Sequence, residues 1–253
     1  MDTSDVFYFN NLFWIEAFSI FTKNLNSVIM KLTTEQIDYI EHTLVKNGLD
    51  FEDLKFELID HIASEIEVKM AVEEISFMPA FYSVFDTWKA QLKPSQSAAF
   101  LGRNLVAPKI VIDRLSSLKK RELLTGLVFS FIVTLLLYSI SAINVFRPLL
   151  HYVEFIISKS FLLTIIVLLV SKILLYQSKL KTTYSVLFNK SFLLSVPFCV
   201  IISLGGFSFF RTENIEDIRI SALAATVLYG FFLFSSARFL YQHFQFVQKI
   251  KRV

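Results

Sequence analysis

The sequence predicts an all-α protein in which a small N-terminal helical head is followed by four transmembrane helices. Three observations carry that prediction. Mean hydropathy is +0.55, with 54% of the 253 residues hydrophobic and 19% charged, where soluble domains run near ~45–50% and ~25%. The apolar excess is concentrated: residues 123–243 are dominated by Leu, Ile, Val, Phe and Ser, whereas residues 31–93 have the charge of a soluble segment. Within the apolar part, four stretches approach the roughly 20 residues that a helix needs to cross hydrocarbon.

Residues 1–30 form an aromatic extension, "VFYFNNLFWIEAFSIF", interrupted by Glu16. No basic region precedes it, so it makes a poor signal peptide, and it is short for a span. Two readings remain. One is an amphipathic helix lying on the membrane; the other, which we prefer, is a start at Met30, with "MKLTTEQ" as the true beginning.

The head covers residues 31–93. Its first helix opens on a Thr33-x-x-Gln36 capping box and closes at Gly48, a suitable left-handed cap. Ile37, Ile40, Leu44 and Val45 recur at helical spacing. Asp50 is placed to cap the second helix, with Glu52 and Asp53 favourable in its first turn. That helix buries Leu54, Leu58, Ile62, Ile66 and Met70. The third begins near Phe77, tolerates Pro79 in its first turn, turns Phe81, Val84, Phe85, Trp88 and Leu92 inward, and ends before Pro94.

Residues 94–121 read as a basic amphipathic connector, with Val111, Leu115 and Leu118 on one side and Lys109, Arg114, Lys119 and Lys120 elsewhere. Such a helix can lie in the interface ahead of a span. The transmembrane region, residues 122–253, then holds spans at Leu123–Ile143, Tyr152–Tyr176, Ser191–Phe210 and Ile220–Ala237. The second contains Glu154, Lys159 and Lys172. Lys159 and Lys172 stand roughly 18 Å apart along a helix, so they read as interfacial anchors whose stems snorkel to the two surfaces. The competing reading makes them cations in a polar pathway.

Short-loop lysines and arginines set the orientation. Arg114, Lys119, Lys120 and Arg121 precede the first span. Lys179, Lys181 and Lys190 lie between the second and third, and Lys249, Lys251 and Arg252 end the chain. The other side has Arg147, and Arg211 and Arg219 diluted by Glu213, Glu216 and Asp217. Both termini are therefore expected in the cytoplasm, and an even number of spans is consistent with that.

The stretch "ELIDHIASEIE" packs acids and a histidine into three turns. On a helix Glu57, His61 and Glu65 fall along one face, with Asp60 beside them. These residue types suit zinc or iron, but successive turns are about 5.4 Å apart and few further ligands are on offer. No H-E-x-x-H, cysteine cluster, nucleophile elbow or phosphate-binding glycine loop is present. The plainer readings are an i,i+4 pair of Glu57 with a half-buried His61, or a partner-docking face of Glu57, Asp60, His61 and Glu65.

Two motifs carry a family resemblance. "LTTEQI", Leu32 to Ile37, and "LIDHIASEIE", Leu58 to Glu67, resemble the helical prefix domains of bacterial membrane proteins of the HAAS and permease-prefix type. They are most similar to multi-span proteins of Bacteroidota. The resemblance implies a helical head ahead of several spans, frequent encoding beside PadR-like repressors, and no catalytic residues.

The expected function is accordingly non-enzymatic: a membrane protein whose head docks a protein partner, such as a regulator or a transporter subunit, in a regulatory or signalling role. No cofactor, metal or direct nucleic-acid contact is expected. The alternatives are a component of a small permease, lined by Lys159 and Lys172, or a metal-dependent membrane enzyme using Glu57 and His61. The mass of the native protein tests the start site: a species lacking residues 1–29 is expected, and one containing them refutes the Met30 start.

Overall fold

The computed structural model describes residues 31–97, 105–141, 147–204 and 219–251. The aromatic extension 1–30, the loop charges Arg211, Glu213, Glu216 and Asp217, and Arg252 lie outside them. Seven helices and one pair of short strands make up the described chain. It is all-α in class, and four of the helices are long and apolar enough to cross a membrane. The chain divides into two compact units, one running to Gly48 and resuming over Lys55–Lys93, the other comprising Leu49–Leu54 and the chain from Pro94 onward.

In the first unit, α1 spans Thr34–Lys46 and does open on the Thr33–Gln36 capping box. Thr33 N–H donates to Gln36 Oε1 at 2.9 Å, and Gln36 N–H donates back to Thr33 Oγ1 at 3.4 Å. α2 is Glu52–Glu73 and α3 is Phe77–Leu92. Ile40, Leu44, Leu58, Ile62, Ile66, Phe81, Val84 and Phe85 are buried together as the core. Phe81 organises the aromatic part, stacked on Phe85 at 5.2 Å and edge-on to Tyr39 at 5.0 Å. Ile37 and Val45 are exposed, although their spacing matched the buried stripe. In a helix of three turns only the Ile40–Leu44 row reaches the core.

In the second unit, β1 (Pro94–Gln96) pairs antiparallel with β2 (Val106–Pro108). This replaces the first part of the expected helical connector. Pro94 and Pro108 oppose each other in the register. Proline favours extended backbone and cannot donate to a helix, which fits a helix that begins at Lys109, just after Pro108.

From there α4 runs unbroken over Lys109–Ser141. The connector and the first span are thus one helix, roughly 50 Å long, with no break near residue 121. Val111, Ile112 and Leu115 are buried in the protein and do not face a membrane surface.

The remaining helices are α5 (Arg147–Ser178), α6 (Thr183–Ser203) and α7 (Ile220–Ile250). α6 starts at Thr183, earlier than the Ser191 expected. Thr182 caps it through a second capping box with Ser185, so Lys190 lies within the helix and outside the loop. α7 likewise continues far past Arg238.

In space α4 meets α7, α7 meets α6, and α6 meets α5. The last helix in sequence therefore stands between the first and third. Hydroxyls link the neighbours: Ser130 Oγ donates to Ala224 O at 3.0 Å, and Ser158 Oγ reaches the Ile202 and Ser203 carbonyls at 3.2 Å. Phe198 stacks on Tyr229 at 3.7 Å. Outward, α4 exposes Leu124, Val128, Phe131, Leu135 and Leu136, and α5 exposes Leu163, Ile166, Val167 and Val170. Bands of this size are too apolar for a water-facing surface. They are the lipid-facing side of a membrane protein.

Close approach of α4 and α7 rests on Gly126. A Cβ there would stand 2.8 Å from Phe231 Cδ1, whereas one at Gly230 meets nothing within 4 Å. Small residues let membrane helices approach in this way. Gly126→Leu should therefore lower stability by about 1–3 kcal/mol. Gly230→Ala should be neutral or gain up to about 1 kcal/mol. Thermal melts in detergent compare the two, and a wild-type melt for Gly126→Leu would refute the close packing.

Candidate functional site

Two places gather chemistry-bearing residues. The first is the α2 face singled out by the sequence. With Leu58, Ile62, Ile66 and Met70 buried, the 3.6-residue period turns Glu57, Asp60, His61 and Glu65 outward, and all four are exposed. Glu65 accepts a hydrogen bond from Trp88 Nε1 at 3.2 Å. Glu57, Asp60 and His61 make no hydrogen bond or ion pair with a described residue. The expected i,i+4 pair of Glu57 with a half-buried His61 is therefore not formed. The neighbouring acids do have partners: Glu67 Oε1 accepts from Leu32 N–H at 2.9 Å, and Glu41 pairs with Lys55 at 2.7 Å. Among the described residues no three His, Cys, Asp or Glu side chains come together as a metal group.

The second place is the turn between α5 and α6, and sequence reasoning missed most of it. The segment Leu49–Leu54 packs there. Leu49 and Phe51 are fully buried, and Lys181 Nζ lies over the Phe51 ring at 4.2 Å. Glu52 N–H donates to Lys181 O at 2.8 Å, and Lys181 pairs with Asp50 at 2.7 Å. Asp50, expected to cap α2, thus binds a lysine instead. That pair is exposed and contributes little by itself.

Asp53 is the better placed acid. Its carboxylate accepts from Thr183 N–H at 2.9 and 3.1 Å and also from the Thr183 hydroxyl. Thr183 is the first residue of α6, so Asp53 satisfies an amide left unpaired at that helix start. Its negative charge also lies at the favourable end of the helix dipole. Burial nevertheless pushes the Asp53 carboxyl above its ordinary value, against the Thr183 hydrogen bonds that pull it down.

Behind Thr182 sits His243, fully buried on α7. Its Nδ1 is 2.9 Å from Thr182 Oγ1 and its Nε2 is 3.0 Å from Ser178 Oγ. The partners assign the proton. Ser178 already donates its hydroxyl hydrogen to Leu175 O, so it accepts from Nε2–H. Thr182 Oγ1 accepts from Ser185 N–H, which leaves its own hydrogen to donate to Nδ1. A neutral imidazole with the proton on Nε2 satisfies every group and joins α5, α6 and α7.

The two lysines expected as interfacial anchors behave differently. Lys159 is exposed, near the Phe155 ring at 5.5 Å. Lys172 is half-buried: it donates to Asn189 Oδ1 on α6 and lies 5.7 Å from the Phe192 ring. Asn189 precedes the Ser191 start expected for the third span, which hid this pairing. The T-T-Y-S capping box at Thr182 was the available signal that α6 starts early enough to carry it.

No protein-family model, curated protein or solved structure matches the chain.

Two predictions follow from the turn. His243→Ala strips the Ser178 and Thr182 hydroxyls of a partner and should cost about 1–3 kcal/mol for the lost pairing, read as a lower unfolding midpoint. A wild-type midpoint would refute the assigned network. For Asp53, the folded carboxyl holds its proton more tightly than in the unfolded chain, whose value is near 3.8. The stabilisation linked to this proton is complete below pH 3.8 and is lost as pH rises through the raised folded value. Wild type should therefore lose stability relative to Asp53→Asn over that rise. Parallel pH profiles for the two proteins would contradict it.

Proposed function

We propose that this chain is a non-enzymatic integral membrane protein whose helical head docks a protein partner. The observation that carries the reading is the outer face of α2. Glu57, Asp60 and His61 are exposed and make no hydrogen bond or ion pair with a described residue, while the opposite face of the same helix is buried in the head. Packing explains the buried face and asks nothing of the exposed one. A cluster of carboxylates flanked by exposed Phe56 and Val68 suits a partner with basic and apolar groups, because charge complementarity steers encounter and apolar contact holds it. We assign both termini to the cytoplasm on the lysine and arginine distribution, and the membrane as a bacterial inner membrane on the prefix-domain resemblance of Leu32 to Ile37 and Leu58 to Glu67. In that orientation the acidic face meets cytoplasmic partners, such as a regulator or a transporter subunit.

The permease reading has one observation on its side, the hydrogen bond of Lys172 to Asn189. One such pair near the end of a span does not make a path across it.

The test is crosslinking in native membranes with Glu57, Asp60 and Glu65 all changed to Lys. Wild type should give a discrete adduct, and the variant should lose it. Stability should stay within about 0.5 kcal/mol, as is usual for surface substitutions. Recovery of monomer alone from wild type, or an unchanged adduct in the variant, would overturn the docking face.

A further inference from the structure

A cleft of about 530 Å³ opens beside the α5–α6 turn, and nothing described so far uses it. Lys172, Lys179, Lys181, Tyr176 and Asn189 are among its lining residues, which include no carboxylate. The lysines differ in how far they are already neutralised. Lys181 is paired with Asp50, and Lys172 is oriented by the neutral amide of Asn189. Lys179 is exposed and makes no hydrogen bond or ion pair with a described residue. The cleft therefore presents two cationic groups without a carboxylate partner among the described residues.

The backbone φ at Lys179 is 55°, the left-handed conformation that ends helices and favours glycine. Glycine would therefore fit the backbone at this position without strain, which makes Lys179→Gly a clean removal of the side chain.

Position indicates what the cleft would take. It lies at the end of the second candidate span, Tyr152–Ser178. Tyr176 is highly exposed beside it, as aromatics at a membrane–water interface are. One turn back along α5, Ile173 and Leu174 expose apolar side chains. Cations at headgroup depth above an apolar helix face match a phospholipid: phosphate outward, acyl chains along the helix. Lysine serves as a point-charge partner for phosphate.

We propose that this cleft binds the phosphate of an anionic phospholipid, held by Lys172 and Lys179, with the acyl chains against α5. A free phosphate shares that chemistry, and the experiment separates the two sources.

The full chain is reconstituted in nanodiscs of phosphatidylcholine alone or with phosphatidylglycerol, and retained phosphatidylglycerol is measured by mass spectrometry. Wild type should retain it selectively. Lys179→Gly and Lys172→Gln should each bind about fivefold more weakly, the size expected for one lysine at an anionic surface. Lys179→Arg should retain binding, and Lys190→Gln, an exposed lysine of α6 outside the cleft, should not change it. Lys179→Gly should melt no lower than wild type in phosphatidylcholine, since glycine suits the left-handed backbone, so weaker binding would not reflect misfolding. Equal retention by wild type and both cleft variants, or an equal loss in Lys190→Gln, would overturn the site. Stabilisation by millimolar inorganic phosphate without phosphatidylglycerol selectivity would overturn the lipid as its source.

Discussion

A backbone that crosses hydrocarbon has to pair its own amides and carbonyls, because no water is there to do it. Most of the second unit follows from that constraint. Its four long helices satisfy their backbones internally and present leucine, isoleucine, valine and phenylalanine outward. The hydrophobic effect cannot then hold the helices to one another, since lipid is as apolar as their side chains. Close packing and a few hydroxyl bonds take its place. Gly126 under Phe231, the Ser130 bond to α7 and the Ser158 bonds to α6 are the local expressions of that rule.

The same constraint makes the helix ends critical, because there the amides and carbonyls run out of partners. The α5–α6 turn answers it with side chains brought from elsewhere. Thr182 and Ser185 cap α6 reciprocally, and Asp53 covers the Thr183 amide. His243 ties the Thr182 hydroxyl to Ser178 at the end of α5. His243 has both ring nitrogens engaged and no exposure, which suits a structural knot better than a proton carrier.

The exposed chemistry has opposite signs in two places. On α2 it is acidic, with Glu57 and Asp60 exposed and without a partner among the described residues and Glu65 accepting only from Trp88 there. In the α5–α6 cleft it is basic and lies at the end of a candidate span. The proposed protein partner and the proposed anionic lipid would each take one of these surfaces, and neither proposal needs a reacting group.

Much of the architecture was legible in the sequence because its signals are local. Apolar run length specified four spans, the Thr33–Gln36 pattern marked the start of α1, and the 3.6-residue period placed Glu57, Asp60, His61 and Glu65 outside the α2 core. Where the sequence reading went astray, a competing local signal or a distant partner was responsible. Polar Asn189 and Lys190 fell before the expected Ser191 start, yet the capping box at Thr182 starts the helix before them. The prolines at 94 and 108 favour paired strands where amphipathic spacing suggested a continuous connector helix. The partners of Asp53, Lys172 and His243 were beyond reach for a different reason. Asp53 meets Thr183 across 130 positions and His243 meets Thr182 across 61. A hydrogen bond requires atoms at about 3 Å, and neither hydropathy nor periodicity carries that distance. By itself the sequence determined that this chain is helical, crosses a membrane and carries an acidic helix face. Only the tertiary structure decided which polar groups are consumed at helix ends and which, on α2 and in the cleft, remain available to bind.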